Sequence, residues 1–222
     1  MFEGECSPNK LLALWCIILF IFSRVASFAS VAAAGESEAK ALLKWRATFN
    51  NQSKATLSSW NNHTDPCKNW KGISCDKSKS VNNINLSNLR LQGTLSSINF
   101  AAFPNLLYFN ISYNQFSGYI PHEIGNLSSI LMLNLSYNPV TGPIPPEIWR
   151  MTTLNHLDLS TCNLTGKISR EIGNLRNLNV LWLGENSLSG PIPQEIGMLS
   201  NLVDLFLGTN PLSGTIPSSI GN

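Results

Sequence analysis

The chain has 222 residues, of which 43% are hydrophobic and 13% are charged, and its formal net charge at pH 7 is +2. The hydrophobic share is sufficient for a packed core. A nearly neutral chain without a run of like charges gives no indication of a nucleic-acid partner or of an acidic partner.

An apolar run close to the N-terminus has the layout of a signal peptide. The run extends from Leu11 to Phe22 after a lysine, and small residues follow it up to Ala34. It is shorter than the roughly 20 residues that a membrane-spanning helix needs. We therefore predict that residues 1–34 are a signal peptide, cleaved near Ala34 or alternatively near Ser27. An uncleaved anchor that starts in the same place is the other interpretation.

Two of the five cysteines, Cys67 and Cys75, lie in one short polar segment. In the oxidising secretory pathway we expect them to form a disulfide rather than to remain two free thiols. In the chain-entropy model, a disulfide that closes so short a loop stabilises the folded chain by about 2 to 3 kcal/mol, so its effect would be a local bracing of the segment. Cys6 and Cys16 belong to the predicted signal peptide, and Cys162 is then left without a partner.

Seven Asn-x-Ser/Thr sequons agree with passage through the secretory pathway. They lie at Asn51, Asn62, Asn85, Asn110, Asn126, Asn134 and Asn163. Asn51 and Asn62 are the more independent evidence, because the other sequons fall within a repeated phrase that itself contains Asn, Leu and Ser.

The segment from Glu36 to Asn50 is predicted to be an amphipathic helix, because its apolar residues recur near helical spacing. Glu36 and Glu38 lie in the first turn, where negative charge suits the helix dipole. A second short turn is expected from Leu57 to Trp60. These elements would cover the open edge of the repeats that follow, since an uncovered end exposes apolar surface and unpaired strand groups.

From Leu106 onward the chain repeats one phrase with a period of 24 residues, and a looser copy begins one residue out of step at Val81. The copies, called repeats 1 to 6 below, begin at Val81, Leu106, Ile130, Leu154, Leu178 and Leu202. Each follows the pattern L-x-x-L-x-L-x-x-N-x-L, the leucine-rich repeat signature. The alternation predicts one short strand per repeat and a parallel sheet with one face inward. The predicted inward pairs are Ile84/Leu86, Phe109/Ile111, Leu133/Leu135, Leu157/Leu159, Leu181/Leu183 and Leu205/Leu207. We divide the chain into a signal peptide (1–34), an N-terminal cap (35–80) and repeats (81–222), of which five are full and the sixth is incomplete.

An inward asparagine follows each strand, at Asn114, Asn138, Asn186 and Asn210, where its amide can bond backbone groups that the sheet no longer satisfies. Leu89 replaces it in repeat 1 and Cys162 in repeat 4, so Cys162 is predicted to be a buried structural thiol. A Gly-x-Ile-Pro segment and a short helical turn come next. The turns carry Glu123, Glu147, Glu171 and Glu195, which are expected to form a column facing water.

The outward strand positions are the expected binding surface, because a stacked sheet aligns them in columns. One column reads Asn85, Asn110, Asn134, Asp158, Trp182 and Phe206, and its neighbour reads Asn83, Tyr108, Met132, His156, Val180 and Asp204. Aromatic rings in register suggest an anchor for a ligand. The candidate ligand-binding residues are His156, Asp158, Val180, Trp182, Glu185, Asp204 and Phe206. The alternative is that further repeats or self-packing cover these rings.

Catalysis is not expected from this sequence. His63, His122 and His156 are scattered, and no nucleophile–base pair, pair of acids or metal-ligand spacing is present. We therefore predict no enzyme activity, no cofactor and no metal site.

The chain resembles the extracellular part of plant leucine-rich repeat receptor-like kinases and receptor-like proteins. The resemblance rests on L-x-G-x-I-P within the 24-residue repeat and on the pattern C-x-x-W-x-G-I-x-C from Cys67 to Cys75. It implies an α/β solenoid, a right-handed superhelix with a parallel concave sheet and a disulfide-braced helical cap. It also implies a secreted peptide or protein ligand on the concave face, a receptor or co-receptor ectodomain as a further partner, a membrane span and a cytoplasmic kinase.

The sequence departs from that plan in lacking a second apolar run and the kinase motifs. Repeat 6 stops mid-phrase at Asn222, so we expect a truncated receptor located in the apoplast, or at the plasma membrane as part of a longer protein. The alternatives are a secreted inhibitor of the polygalacturonase-inhibitor type and a short co-receptor ectodomain.

Overall fold

The computed structural model describes residues 38–220. The predicted signal peptide, Glu36 and the first two cysteines lie outside the described residues. Within residues 38–220, every helix is too short or too polar to span a membrane.

The strands of the described residues arrange into two sheets of seven and six strands. In chain order they are β1 (Ile73–Cys75), β2 (Val81–Asn85), β3 (Gln92–Thr94), β4 (Tyr108–Asn110), β5 (Gln115–Tyr119), β6 (Met132–Asn134), β7 (Val140–Pro143), β8 (His156–Asp158), β9 (Asn163–Lys167), β10 (Val180–Trp182), β11 (Ser187–Pro191), β12 (Asp204–Phe206) and β13 (Leu212–Ser213). The first sheet has the order β1-β2-β4-β6-β8-β10-β12 and is parallel except for the β1–β2 pair. The predicted leucine-rich repeat solenoid with a parallel sheet is therefore confirmed, and we call this sheet the concave sheet.

The second sheet, with the order β13-β11-β9-β7-β5-β3, was not predicted. The sequence indicated only an extended segment after each inward asparagine. These segments pair with their neighbours in the adjacent repeats, as Thr141 to Pro143 pair with Asn163 to Thr165. The repeat period brings equivalent extended segments side by side, and pairing satisfies backbone groups that would otherwise be left without partners.

Each repeat contributes to the core from both sheets and from a 3₁₀ turn. In repeat 3, Leu133 comes from the concave sheet, Val140 from the second sheet and Ile148 from the turn, and all are buried. The 3₁₀ turns are Phe100–Ala102, His122–Asn126, Pro146–Arg150, Arg170–Asn174 and Gln194–Met198, so the predicted helical turns are present. Of the predicted glutamate column, Glu123 is exposed, whereas Glu147, Glu171 and Glu195 are half-buried. The Glu171 side chain is still 40% exposed and forms an ion pair with Arg150 at 3.4 Å.

The inward asparagines bond the backbone as predicted. In Asn138, Nδ2 donates to the carbonyls of Ile111 and Leu135, at 3.0 and 2.9 Å, and Oδ1 accepts from the Phe116 amide at 2.9 Å. Cys162 is buried at the equivalent position of repeat 4, and its Sγ lies 3.5 Å from the Leu135 carbonyl oxygen. Burial raises the pKa of this thiol to about 11, so it stays protonated at neutral pH, as expected of a structural cysteine.

Three helices form the N-terminal cap: α1 covers 38–47, α2 is Asn51–Thr56 and α3 is Pro66–Asn69. Helix α1 confirms the predicted amphipathic helix, whereas α2 was not predicted. Trp45, which the sequence did not single out, is fully buried and stacks on Phe116 of repeat 2 at 5.6 Å between ring centroids. The Cys67–Cys75 disulfide is present and ties α3 to β1.

Glu38 has a structural role that the helix-dipole argument did not predict. Its side chain is buried, and its carboxylate accepts hydrogen bonds from Ser80 Oγ at 2.6 Å and from the Val81 amide at 3.0 Å. It therefore fastens the cap to the first residue of β2. Desolvation by burial raises the pKa of Glu38, against the lowering effect of these hydrogen bonds.

Candidate ligand-binding surface

The two outward columns have the register that the sequence predicts. In the first, Asn85, Asn110, Asn134, Asp158, Trp182 and Phe206 are neighbours across the concave sheet. In the second, Asn83, Tyr108, Met132, His156, Val180 and Asp204 are neighbours. The period of the repeat alone is enough to produce this alignment.

A groove of about 550 Å³ lies at the C-terminal ends of the concave strands. Five of the candidate residues line it, namely Asp158, Trp182, Glu185, Asp204 and Phe206, together with Tyr113, Asn134, Ser136, Tyr137, Ser160, Thr161 and Leu205. His156 and Val180 do not line it. We call this feature the concave groove.

Two tyrosines that the sequence analysis did not single out form one wall of the concave groove. The rings of Tyr113 and Tyr137 stack with centroids 4.0 Å apart and an interplanar angle of 11°, although both residues are more than 40% exposed. Each has a left-handed backbone, with φ values of 55° and 54°. This conformation is uncommon for a bulky residue, and it occurs at the equivalent residue of every repeat, which is Asn88 in repeat 1 and Glu185 in repeat 5.

Trp182 and Phe206 supply aromatic surface from the neighbouring column. The Phe206 ring lies over Gly184, where a Cβ would come within 2.1 Å of Phe206 Cε1. Repeats 5 and 6 accordingly have an aromatic residue followed two positions later by glycine. In repeats 1 to 4 the same two positions hold Asn or Asp and then Ser. Gly184 was the available sequence signal that the Phe206 ring lies against the neighbouring repeat.

Asp158 is the neighbour of Trp182 across the concave sheet, and the residue is only 3% exposed. Its Oδ1 accepts from the Ser160 amide at 3.0 Å and from Ser160 Oγ at 2.6 Å. Glu185 and Asp204 are exposed, and Glu185 Oε2 accepts from Thr161 Oγ1 at 3.0 Å. Among the described residues, no lysine, arginine or histidine lines the concave groove. The groove is therefore acidic.

Tyr113 lies within the electric field of these acids. The pKa of the Tyr113 hydroxyl is raised, first by the stacked Tyr137 side chain and further by the negative charges of Asp158 and Glu185. Tyr113 in repeat 2 and Glu185 in repeat 5 therefore belong to one electrostatic environment.

His156 lies on the other side of the Trp182 column. It is half-buried, its ring meets that of Trp182 edge-on at 5.8 Å, and it lines a separate depression of about 640 Å³ with Tyr108 and Met132. Burial lowers the pKa of His156, although the charges of Asp158 and Asp204 act in the opposite direction. At neutral pH this histidine is uncharged and does not offset the acids.

The sequon asparagines differ in exposure. Asn51, Asn62, Asn85, Asn126 and Asn163 are exposed, whereas Asn110 and Asn134 are half-buried on the concave sheet. The Oδ1 atoms of Asn85 and Asn134 accept from the serine of their own sequon, through both its amide and its hydroxyl.

Comparison with family models covers most of the described chain. The leucine rich repeat N-terminal domain model matches residues 36–76, and the leucine rich repeat model matches 105–127, 129–151, 153–175, 177–199 and 201–222. The chain belongs to the leucine-rich repeat family. The cap and the repeats of this leucine-rich repeat chain are thus both represented by known models, which agrees with the resemblance inferred from the sequence.

The relatives are plant receptor-like kinases. A probable leucine-rich repeat receptor-like protein kinase of Arabidopsis thaliana is 41% identical over 114 residues, which make up 49% of this chain and 10% of the kinase. The leucine-rich repeat chain thus spans about a tenth of the length of that relative.

Solved structures of plant ectodomains have the same fold. The PEPR1–AtPEP1 structure has a TM-score of 0.76 and 35% identity, over 83% of this chain and 26% of that chain. The BIR3–SERK2 complex from Arabidopsis thaliana has a TM-score of 0.69 and 30% identity, over 82% of this chain and 98% of the matched chain. The chain therefore has the architecture of a plant receptor ectodomain, a fold typical of recognition rather than of catalysis.

Proposed function

We propose that this chain is the extracellular recognition module of a plant receptor-like kinase or receptor-like protein and that it binds a secreted peptide or protein. The observation that carries the proposal is the concave groove, in which Trp182 and Phe206 present aromatic surface beside a stacked pair of tyrosines. Aromatic side chains in a concave site are frequent anchors of binding energy. The similarity to the PEPR1–AtPEP1 structure supports this function.

The ligand contact is proposed to centre on repeats 4 to 6. Asp158, Trp182, Glu185, Asp204 and Phe206 share the groove. His156 and Val180 remain proposed contacts for a ligand that extends across the sheet toward the neighbouring depression.

Glycans are proposed at the sequons, most readily at the exposed ones. Occupied sites at Asn85 and Asn110 would cover the concave face of repeats 1 and 2 with sugar, whereas a glycan on Asn134 would stand at the edge of the concave groove, which this residue lines. Repeat 4 has Asp158 at the same position and therefore has no sequon there. This distribution favours a ligand site on the later repeats.

We place the chain in the secretory pathway and then outside the cell, free or joined to the span and kinase of a longer receptor. It has no proposed enzymatic role.

A short co-receptor ectodomain is the second candidate, because the chain matches 98% of a chain in the BIR3–SERK2 complex. No observation favours an inhibitor of the polygalacturonase-inhibitor type.

The test is a selection of binders. The full chain, secreted from plant cells and immobilised, is exposed to a display library of random linear peptides, and the affinities of the selected peptides are measured. The Trp182→Ala/Phe206→Ala variant is expected to lose about tenfold or more in affinity, because each ring contributes on the order of 1 kcal/mol or more.

The matched control is Tyr119→Ala. Tyr119 is 61% exposed but lies in β5 of the second sheet, away from the concave face. Its replacement should leave affinity unchanged. A selected ligand that binds the double variant as tightly as the native chain would show that the concave groove is not the binding site.

A further inference from the structure

The negative charge of Asp158 has no role in the local fold. Asn134, at the same position of repeat 3, accepts the same two hydrogen bonds, from the Ser136 amide at 3.0 Å and from Ser136 Oγ at 2.7 Å. Asp158 accepts its bonds from Ser160 at 3.0 and 2.6 Å. A neutral amide therefore forms this turn as well as a carboxylate does.

The buried charge also has an unused oxygen. Oδ1 of Asp158 receives both hydrogen bonds, and within residues 38–220 no donor contacts Oδ2. The residue is 97% buried, as its 3% exposure implies, and it lines the concave groove. Oδ2 is not one of the fully buried side-chain atoms that lack a hydrogen-bond partner, so it is open to the groove and can accept a partner there. A positively charged group in the groove would supply that partner.

The walls of the groove suit a flat organic cation. The stacked rings of Tyr113 and Tyr137 and the rings of Trp182 and Phe206 present π-faces and edges, and cations are attracted to such faces. A guanidinium group stacks on aromatic rings and also pairs with carboxylates in bidentate geometry. A bare metal ion is less suitable, because no group of three or more metal-ligating side chains occurs in the described part of the chain.

We propose that the concave groove is a subsite for an arginine side chain of the ligand. The guanidinium group lies among the aromatic rings and pairs with Asp158, while Glu185 and Asp204 attract it from the rim. This inference rests on the proposed function, since it specifies which part of a peptide the recognition module reads.

The first experiment uses small probes, so that it does not depend on a known ligand. N-acetyl-arginine amide and N-acetyl-citrulline amide, which have nearly the same shape but differ in charge, are titrated against the full chain and followed by NMR. We expect the arginine probe to bind about tenfold more tightly, because it alone can form the ion pair and the cation–π contacts. Added salt should weaken only the arginine probe.

Variants connect this preference to the carboxylates. Asp158→Asn alone would create an Asn-Leu-Ser sequon, so it is combined with Ser160→Ala and compared with Ser160→Ala alone. Removing the Asp158 charge should remove most of the preference for arginine over citrulline, with the remainder coming from the cation–π contacts and the exposed acids. Glu185→Gln should reduce the preference by only about twofold, as expected for an exposed charge. Denaturation curves check that each variant is folded.

The results separate this inference from the proposed function. Equal affinity for the two probes, or an unchanged preference without the Asp158 charge, would overturn the arginine subsite. Selected peptides that bind the groove but contain no arginine would also overturn it and leave the proposed function intact. The chain could also bind the arginine probe through Asp158 and yet select no peptides from the library. That result would support the arginine subsite and refute the proposed recognition of peptides.

Discussion

Replacing Asn138 by alanine tests whether the inward asparagines hold the repeats together through hydrogen bonds. Asn138 is 3% exposed, and its Oδ1 accepts from the buried Phe116 amide. Without the side chain that amide has no acceptor, and the Leu135 carbonyl keeps only the weak contact with Cys162 Sγ. The Ile111 carbonyl still accepts from Asn114, so its loss is smaller.

The expected magnitude follows from these groups. An orphaned buried amide costs about 1 to 3 kcal/mol, and the lost bonds to carbonyls add about 1 kcal/mol. We therefore expect Asn138→Ala to lower the free energy of unfolding by about 3 kcal/mol. Asn210 makes the same bonds in repeat 6 but is only half-buried. In Asn210→Ala, water can therefore take the place of the lost amide, and the variant should lose about 1 kcal/mol of unfolding free energy.

The assay is urea unfolding of both variants, followed by tryptophan fluorescence and far-UV circular dichroism. A loss below about 1 kcal/mol for Asn138→Ala, or equal losses for the two variants, would refute the reasoning that buried backbone groups depend on this amide.

Three further predictions concern single positions. Cys162→Asn should raise the free energy of unfolding by about 1 kcal/mol in the same urea assay, because the amide can donate to the Leu135 carbonyl that the thiol contacts only weakly; a loss of stability would show that the pocket does not admit it. Gly184→Ala should cost about 1 to 3 kcal/mol in thermal unfolding, because the new Cβ would lie 2.1 Å from Phe206 Cε1. Gly208→Ala should cost less than about 1 kcal/mol, because its Cβ would lie 3.1 Å from the nearest atom of the same ring, so that a small shift relieves the contact. The raised pKa of Glu38 means that the folded chain binds this proton more tightly than the unfolded chain. The protonated Glu38 therefore contributes its whole stabilisation to the free energy of unfolding below the ordinary pKa of glutamate. This contribution is lost as the pH rises through the raised pKa of the folded chain. Unfolding of Glu38→Gln across this interval should lack that fall, and an identical pH profile for the two proteins would contradict the assignment.

The repeat period made most of the fold predictable. The spacing of 24 residues, or 25 between repeats 1 and 2, determines which residues are neighbours in the concave sheet, so the two outward columns were predicted residue by residue. The second sheet was missed because its strands show no apolar alternation of their own. They pair only because the stacked repeats bring them together.

The concave groove was predictable only in part. Trp182 and Phe206 follow from the columns, but Tyr113 and Tyr137 stand at left-handed positions that sequence rules assign to Gly or Asn. The burial of Asp158 was missed for a different reason. An outward strand position is normally exposed, and here the side chain folds back to accept hydrogen bonds from Ser160.

The equivalence of Asn134 and Asp158 has a genetic consequence. Both residues form the same turn with the serine two positions later. The codons of asparagine and aspartate differ by a single nucleotide. One point mutation can therefore replace a sequon by a negative charge, or restore it, while the turn itself is preserved. The face of such a solenoid can be remodelled repeat by repeat, by changes that the fold tolerates.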